Sequence, residues 1–359
     1  MSPFAETYRD ARAAFLEAAG RAGAAIASLR APGRGPAGEP LFTDVAGLGD
    51  PEAPVRLVVS SGLHGVEGFC GSACQVAWLR SGAPAALAED VGVILVHALN
   101  PFGFAWVRRF DDGNVDLNRN FLDDFAEPPQ NPRYREIRAA LAAAPGTPAW
   151  RDAEAALAAY RAQAGEAAFH EAATGGQYED PQGIFYGGAA PAWTRRTFVG
   201  LLRERLAGAE RAVVLDIHTG IGAFGERVPF LMAPADDPRR AAAERLFGEP
   251  VRTPARGPDG ARVRRGLMLP HLDELGLAPA FLPLGVEFGT LPLEETTKAV
   301  RAENWLFHHG RRDTPEGRRI VQALREAFCP TDADWVAAVL AKSAEMFRRI
   351  VTGLRDGGF

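Results

Sequence analysis

Two stretches of this chain are apolar almost without a break: VRLVVSS from Val55 and VGVILVHAL from Val91. A strand with one face in water alternates apolar and polar residues, so continuous Val, Leu and Ile runs belong to strands covered on both faces. Residues 69–80, between them, read as a helix. Strand, helix, strand in that order predicts an α/β sheet with crossover connections. Further strands are expected around 41–45 and at 212–217, 228–233 and 281–288. Helices are expected at 4–29, 192–207, 292–308, 315–327 and 332–354, the last capped by Thr331 after the helix-stopping Pro330. Residues 31–40, APGRGPAGEP, read as a loop. Residues 122–190, opened by EPPQNP and rich in alanine, read as a loop and helix insertion over the sheet edge. The expected architecture is one α/β domain over 1–359: a mixed, mainly parallel central sheet flanked by helices.

Composition narrows the function classes. The chain has 359 residues and a formal net charge of −5, and no basic stripe of the kind nucleic acid demands. Of 40 basic residues only Lys298 and Lys342 are lysine, so an anion site here is built from arginine, whose planar fork suits carboxylates. Three cysteines, Cys70, Cys74 and Cys329, imply no disulfide framework. No apolar run approaches the ~20 residues of a membrane span, and the charged amino terminus does not read as a signal peptide. A cytoplasmic protein without nucleic-acid or membrane partners is expected; the oligomeric state is not legible.

Four segments carry chemistry. In SSGLHGVEGFCG, His64 and Glu67 follow an apolar strand, at the junction where α/β proteins bind ligands. Two such ligands three residues apart reach one zinc ion, and a catalytic zinc takes three protein ligands. RAVVLDIHTGIGAFG offers the third, His218, with Asp216 on the same strand face as a partner to orient it. LNPFGFAWVRRFDDGNVDLNRNF places Arg108, Arg109, Asn118 and Arg119 in one loop, a receptor for a substrate carboxylate. PLGVEFGT sets Glu287 inside an apolar strand, where glutamate is rare unless paired or functional; beside a metal-bound water it would serve as general base. Each segment has a bland alternative, such as a satisfied core histidine, solvated arginines or a buried ion pair.

Other patterns carry less. Gly220, Gly222 and Gly225 match G-x-G-x-x-G after a strand, but a second strand follows where the dinucleotide motif needs a helix. No G-x-S-x-G elbow supplies a serine nucleophile. Cys70 and Cys74 read as small residues on a packing face, and His97 as a core histidine.

HGVEG, NP followed by arginine and DLNRNF, then DIHTG and VEFGT, in that order, resemble the M14 zinc carboxypeptidase superfamily, and within it the bacterial DUF2817-type members related to the aspartoacylase and succinylglutamate desuccinylase group. The resemblance implies zinc (Zn2+, one per chain) on His64, Glu67 and His218, with Glu287 as general base. It implies Arg109 polarising the scissile carbonyl, Arg108 competing for that role, and Asn118 with Arg119 binding the substrate carboxylate. The implied activity is zinc-dependent hydrolysis of an amide bond next to a carboxylate, on a peptide or small molecule, with a metallocarboxypeptidase leading. The alternatives are an N-acyl amino acid deacylase of the aspartoacylase type and, more distantly, a non-catalytic metal-binding protein. The segment TGIGAFG departs from the digestive enzymes, and their substrate-capping tyrosine has only Tyr178 and Tyr186 as candidates here.

Overall fold

A computed structural model describes residues 2–253 and 264–357. Its strands are β1 (Ala25–Arg34), β2 (Pro40–Leu48), β3 (Val55–Ser61), β4 (Val91–His97), β5 (Arg211–Thr219), β6 (Arg227–Leu231) and β7 (Ala280–Phe288). Its helices are α1 (Tyr8–Arg21), α2 (Gly68–Arg80), α3 (Pro101–Trp106), α4 (Pro132–Leu141), α5 (Pro148–Ala164), α6 (Glu166–Thr174), α7 (Trp193–Arg205), α8 (Arg240–Phe247), α9 (Met268–Glu274), α10 (Leu293–His309), α11 (Pro315–Phe328) and α12 (Ala333–Arg355).

The strands form one mixed sheet of order β1-β2-β4-β3-β5-β7-β6. The apolar runs β3 and β4 are parallel neighbours, and every residue of both is buried. Successive residues feed opposite cores, as the two-residue period requires. Leu57, Val59, Val213, Leu215 and Leu284 pack with α1, α2 and α12, while Val58, Val214 and Phe281 pack with α7 and α9. A third apolar cluster joins α4, α5 and α6 of the 122–190 segment to α10 and α11 through Tyr134, Ile137, Phe169, Val300 and Phe328.

The sheet is mixed, as expected, with a parallel centre β4-β3-β5-β7; the β1-β2, β2-β4 and β6-β7 pairings are antiparallel. Two expectations need correction. The first helix stops at Arg21, and residues expected as helix to 29 and as loop from 31 form the edge strand β1 instead. The break follows from Gly23, whose φ of +76° a helix cannot continue, and from the alternating burial of AIASLR beyond it. The cap of α12 is Asp332, not Thr331: its Oδ1 accepts N–H bonds from Asp334 at 3.0 Å and Trp335 at 2.9 Å, whereas Thr331 bonds Glu326. Among the described residues no helix is long and apolar enough to cross a membrane.

Candidate active site

The parallel strands β3, β5 and β7 all end at one edge, and the chemistry gathers there. His64 and Glu67 lie in the turn that leaves β3 for α2; His218 and Glu287 are paired neighbours on β5 and β7. The turn is held backbone to backbone: the N–H groups of Gly65 and Val66 donate to the carbonyls of Arg109, at 3.2 Å, and Arg108, at 2.7 Å. Only glycine fits at 65, because a Cβ there would lie 2.0 Å from the Gly103 backbone. The motif spacing thus becomes a fixed geometry between two loops.

Ligand atoms of His64, Glu67 and His218 lie within 4.8 Å of one another, and all three residues are buried. His64 Nδ1 is 2.8 Å from Glu67 Oε1, and His218 Nδ1 is 2.9 Å from Oε2. Burial alone would raise the Glu67 carboxyl, but the facing imidazoles outweigh it and hold the group well below the usual carboxylate range. Two imidazoles and one ionised carboxylate, converging with one side open to a cleft, form the donor set of a catalytic zinc site, so the residues fit that ion.

Each histidine is oriented from behind. Asp216 Oδ2 lies 2.6 Å from His218 Nε2, while its Oδ1 accepts the Ser60 hydroxyl at 2.6 Å. Burial lowers the His218 imidazole, but Asp216 and Glu67 overcome it and raise it well above its ordinary value. Asp116 does the same work for His64, with Oδ1 at 3.5 Å from Nε2, and its Oδ2 accepts Arg109 Nε at 3.0 Å. Burial would raise Asp116; Arg109 and Arg119 hold it well down instead. Sequence reading missed Asp116, although its place two residues before Asn118, in DLNR, was the available signal.

The two adjacent arginines part company. Arg109 faces the donor set, with Nη1 3.3 Å from Glu67 Oε1 and Nη2 2.7 Å from His64 Nε2. Arg108 does not reach the cleft, which corrects its expected substrate-binding role. It is fully buried on the opposite side, with Nε donating to Glu303 at 2.9 Å and Nη2 to Asn114 Oδ1 at 2.9 Å.

The cleft of about 980 Å³ is lined by His64, Glu67, Arg109, Asn118, Arg119, His218 and Glu287, and by Arg264, which sequence reading did not single out. Asn118 Oδ1 accepts the Met268 N–H at 2.9 Å, and its Nδ2 has no hydrogen-bond partner among the described residues. Withdrawal from solvent, with the charge of Glu67, raises the Glu287 carboxyl to about 7 against the pull of His218. Phe230, Met232, Leu269 and Val286 give the cleft an apolar stretch of wall. Gly285, paired with Asp216 across the sheet, leaves a gap between Leu269 and Phe230 that a side chain would fill.

Neither candidate capping tyrosine lines this cleft. The Tyr178 hydroxyl donates to the Arg119 carbonyl at 2.5 Å, and Tyr186 borders a separate pocket. Gly220, Gly222 and Gly225 form a turn into β6 and open no helix. The fold also gathers His271 with Asp123 and Glu274, both exposed, outside this cleft.

Comparison with solved structures returns a likeness over nearly the whole chain. Bovine thrombin-activatable fibrinolysis inhibitor, solved in complex with tick carboxypeptidase inhibitor, aligns at TM-score 0.52 and 11% identity over 98% of each chain. A metallo-carboxypeptidase from Burkholderia cenocepacia aligns at 0.46 and 14% identity, covering 95% of this chain and 69% of that one. The succinylglutamate desuccinylase from Chromobacterium violaceum aligns at 0.41 and 17%, covering 89% and 74%. The first of these likenesses establishes a carboxypeptidase-like fold. Among curated proteins no relative matches the sequence. The family model that does match is DUF2817, described as a protein of unknown function, and since it spans residues 4–342 this chain belongs to the DUF2817 family.

Proposed function

We propose that the chain is a zinc-dependent hydrolase of amide bonds adjacent to a substrate carboxylate, acting foremost as a metallocarboxypeptidase. The observation that carries this reading is the convergence of the His64, Glu67 and His218 donors with Glu287 and Arg109 in one cleft. When bound there, zinc supplies Lewis acidity toward the scissile carbonyl and the attacking water. Glu287, held near neutrality by burial, takes the proton from that water and returns it to the leaving nitrogen. Arg109, kept in place by Asp116, donates to the oxygen on which negative charge develops. Asn118 and Arg119 hold the carboxylate of the substrate.

Metal analysis is the direct test. The purified chain is expected to carry one zinc, and His64→Ala or His218→Ala to lose it while keeping the circular dichroism of the parent. Absence of zinc after incubation with the ion would remove the premise. Because imidazole ligands must be unprotonated, zinc affinity is expected to fall as pH drops, measured by competition with a chelator. A panel of peptides and N-acyl amino acids then separates the two hydrolase readings: cleavage of acyl amino acids alone would replace the peptidase with the deacylase.

A further inference from the structure

The short stretch ahead of α9 brings a third guanidinium to the cleft. Arg264 is partly buried there, and its backbone is tied down two residues on. The Gly266 carbonyl accepts the Phe121 N–H at 3.1 Å. Gly266 sits at φ +65° so close to the Arg119 carbonyl oxygen that a Cβ would lie 2.1 Å from it. Residues 264–266 are thus packed against 119–121.

Thr174 links the two arginines directly. Its carbonyl accepts Arg119 Nη2 at 2.6 Å, and its hydroxyl lies 3.5 Å from Arg264 Nη2. Among the described residues neither guanidinium has a carboxylate within ion-pair distance, unlike Arg109, which has Asp116 at 3.0 Å and Glu67 at 3.3 Å. Arg119 Nε is a buried donor with no partner among the described residues. A buried donor left without an acceptor is expensive, and two cations side by side compound the cost. Burial, joined by the neighbouring charges of Arg264 and Arg109 and opposed by that of Asp116, brings Arg119 down to about 10.

We propose that Arg119 and Arg264 form a two-guanidinium clamp around the substrate's carboxylate, and that Arg264 makes the site demand a free carboxylate instead of its neutral amide. The ligand class is an amino acid or acyl amino acid with an ionised carboxyl group, one oxygen toward each fork. Its side chain then lies toward Phe230, Met232 and Leu269, where Gly285 leaves room. The proposal rests on the hydrolase reading for what the ligand is, but its test does not depend on turnover.

The probes are 3-phenylpropionate and 3-phenylpropionamide, which pair an apolar arm with a carboxylate or its neutral counterpart, titrated calorimetrically into the zinc-loaded chain. The parent is expected to bind the acid and strongly prefer it. Arg264→Gln should weaken the acid roughly 10- to 100-fold, the loss for one charge-assisted contact, and change the amide by less than about twofold. Arg264→Lys, which keeps the charge and loses the fork, should recover part of that selectivity. In turnover, Arg264→Gln should raise KM far more than it lowers kcat. Equal binding of acid and amide by the parent overturns the clamp, as does an Arg264→Gln chain that loses both ligands alike or neither. If the parent selects the acid yet hydrolyses nothing, the clamp stands and the hydrolase reading fails. If the parent hydrolyses amides and Arg264→Gln leaves KM unchanged, the clamp alone fails.

Discussion

Glu287→Gln is expected to lower kcat by about 10²- to 10⁴-fold in zinc-loaded protein, the usual contribution of a positioned general base. The substitution keeps the shape of the side chain and removes its charge and its capacity to take a proton. The backbone contact to the carboxylate, from Ile221 N–H to Oε2 at 3.4 Å, can pass to the amide oxygen. Zinc content and KM should therefore stay close to the parent's. The pH profile gives a second readout. Burial raises this carboxyl to about 7 even against the neighbouring imidazoles, and a zinc ion at those donors would pull it lower. The base works only when ionised, so kcat/KM is expected to fall tenfold per pH unit below that shifted value. Glu287→Gln should erase this acid limb from whatever activity remains. A fully loaded Glu287→Gln chain with kcat within about threefold of the parent would remove Glu287 from the mechanism.

What the sequence made legible follows from which contacts are local. The apolar runs of β3 and β4 announce burial on both faces because a strand's own residues decide that, and both runs are buried throughout. His64, Glu67, His218 and Glu287 sit at strand ends, where the direction of the chain alone brings them to one edge. Residues whose meaning depends on a distant partner were not legible. Nothing near Arg108 in the chain distinguishes it from Arg109; the difference is Glu303, 195 residues away. Arg264 acquires its neighbours only because Gly266 docks on Arg119, a contact between segments far apart in sequence. The strand β1 was hidden for another reason. As an edge strand it is mostly exposed, so it lacks the apolar signal that marked the others.

Arg108→Ala is expected to cost the fold about 3–5 kcal/mol, the range found when one partner of a buried ion pair is removed. The side chain is wholly enclosed. Its guanidinium donates to Glu303 at 2.9 and 3.2 Å and to Asn114 at 2.9 Å, and lies 3.3 Å over the Phe307 ring. Truncation strands a carboxylate that is itself 1% exposed. Arg312, which reaches Glu303 Oε1 at 2.6 Å, remains as a partner and places the expected loss toward the lower end. Two further variants separate this origin from a simple loss of packing. Glu303→Gln in the Arg108→Ala background should recover part of the stability, because the uncompensated charge is gone, whereas a loss due only to the cavity would persist unchanged. Arg108→Met with Glu303→Leu, which fills the volume with apolar atoms, should approach the parent, since a buried pair offsets little beyond its own desolvation. Urea denaturation, followed at equilibrium, measures each difference. The neighbouring substitution sharpens the contrast: Arg109→Ala should act chiefly on kcat, because its guanidinium faces the donor set, while Arg108→Ala protein that remains folded should keep the parent's KM. An Arg108→Ala chain as stable as the parent, with a raised KM, would return Arg108 to the substrate site and reverse the division between the two arginines.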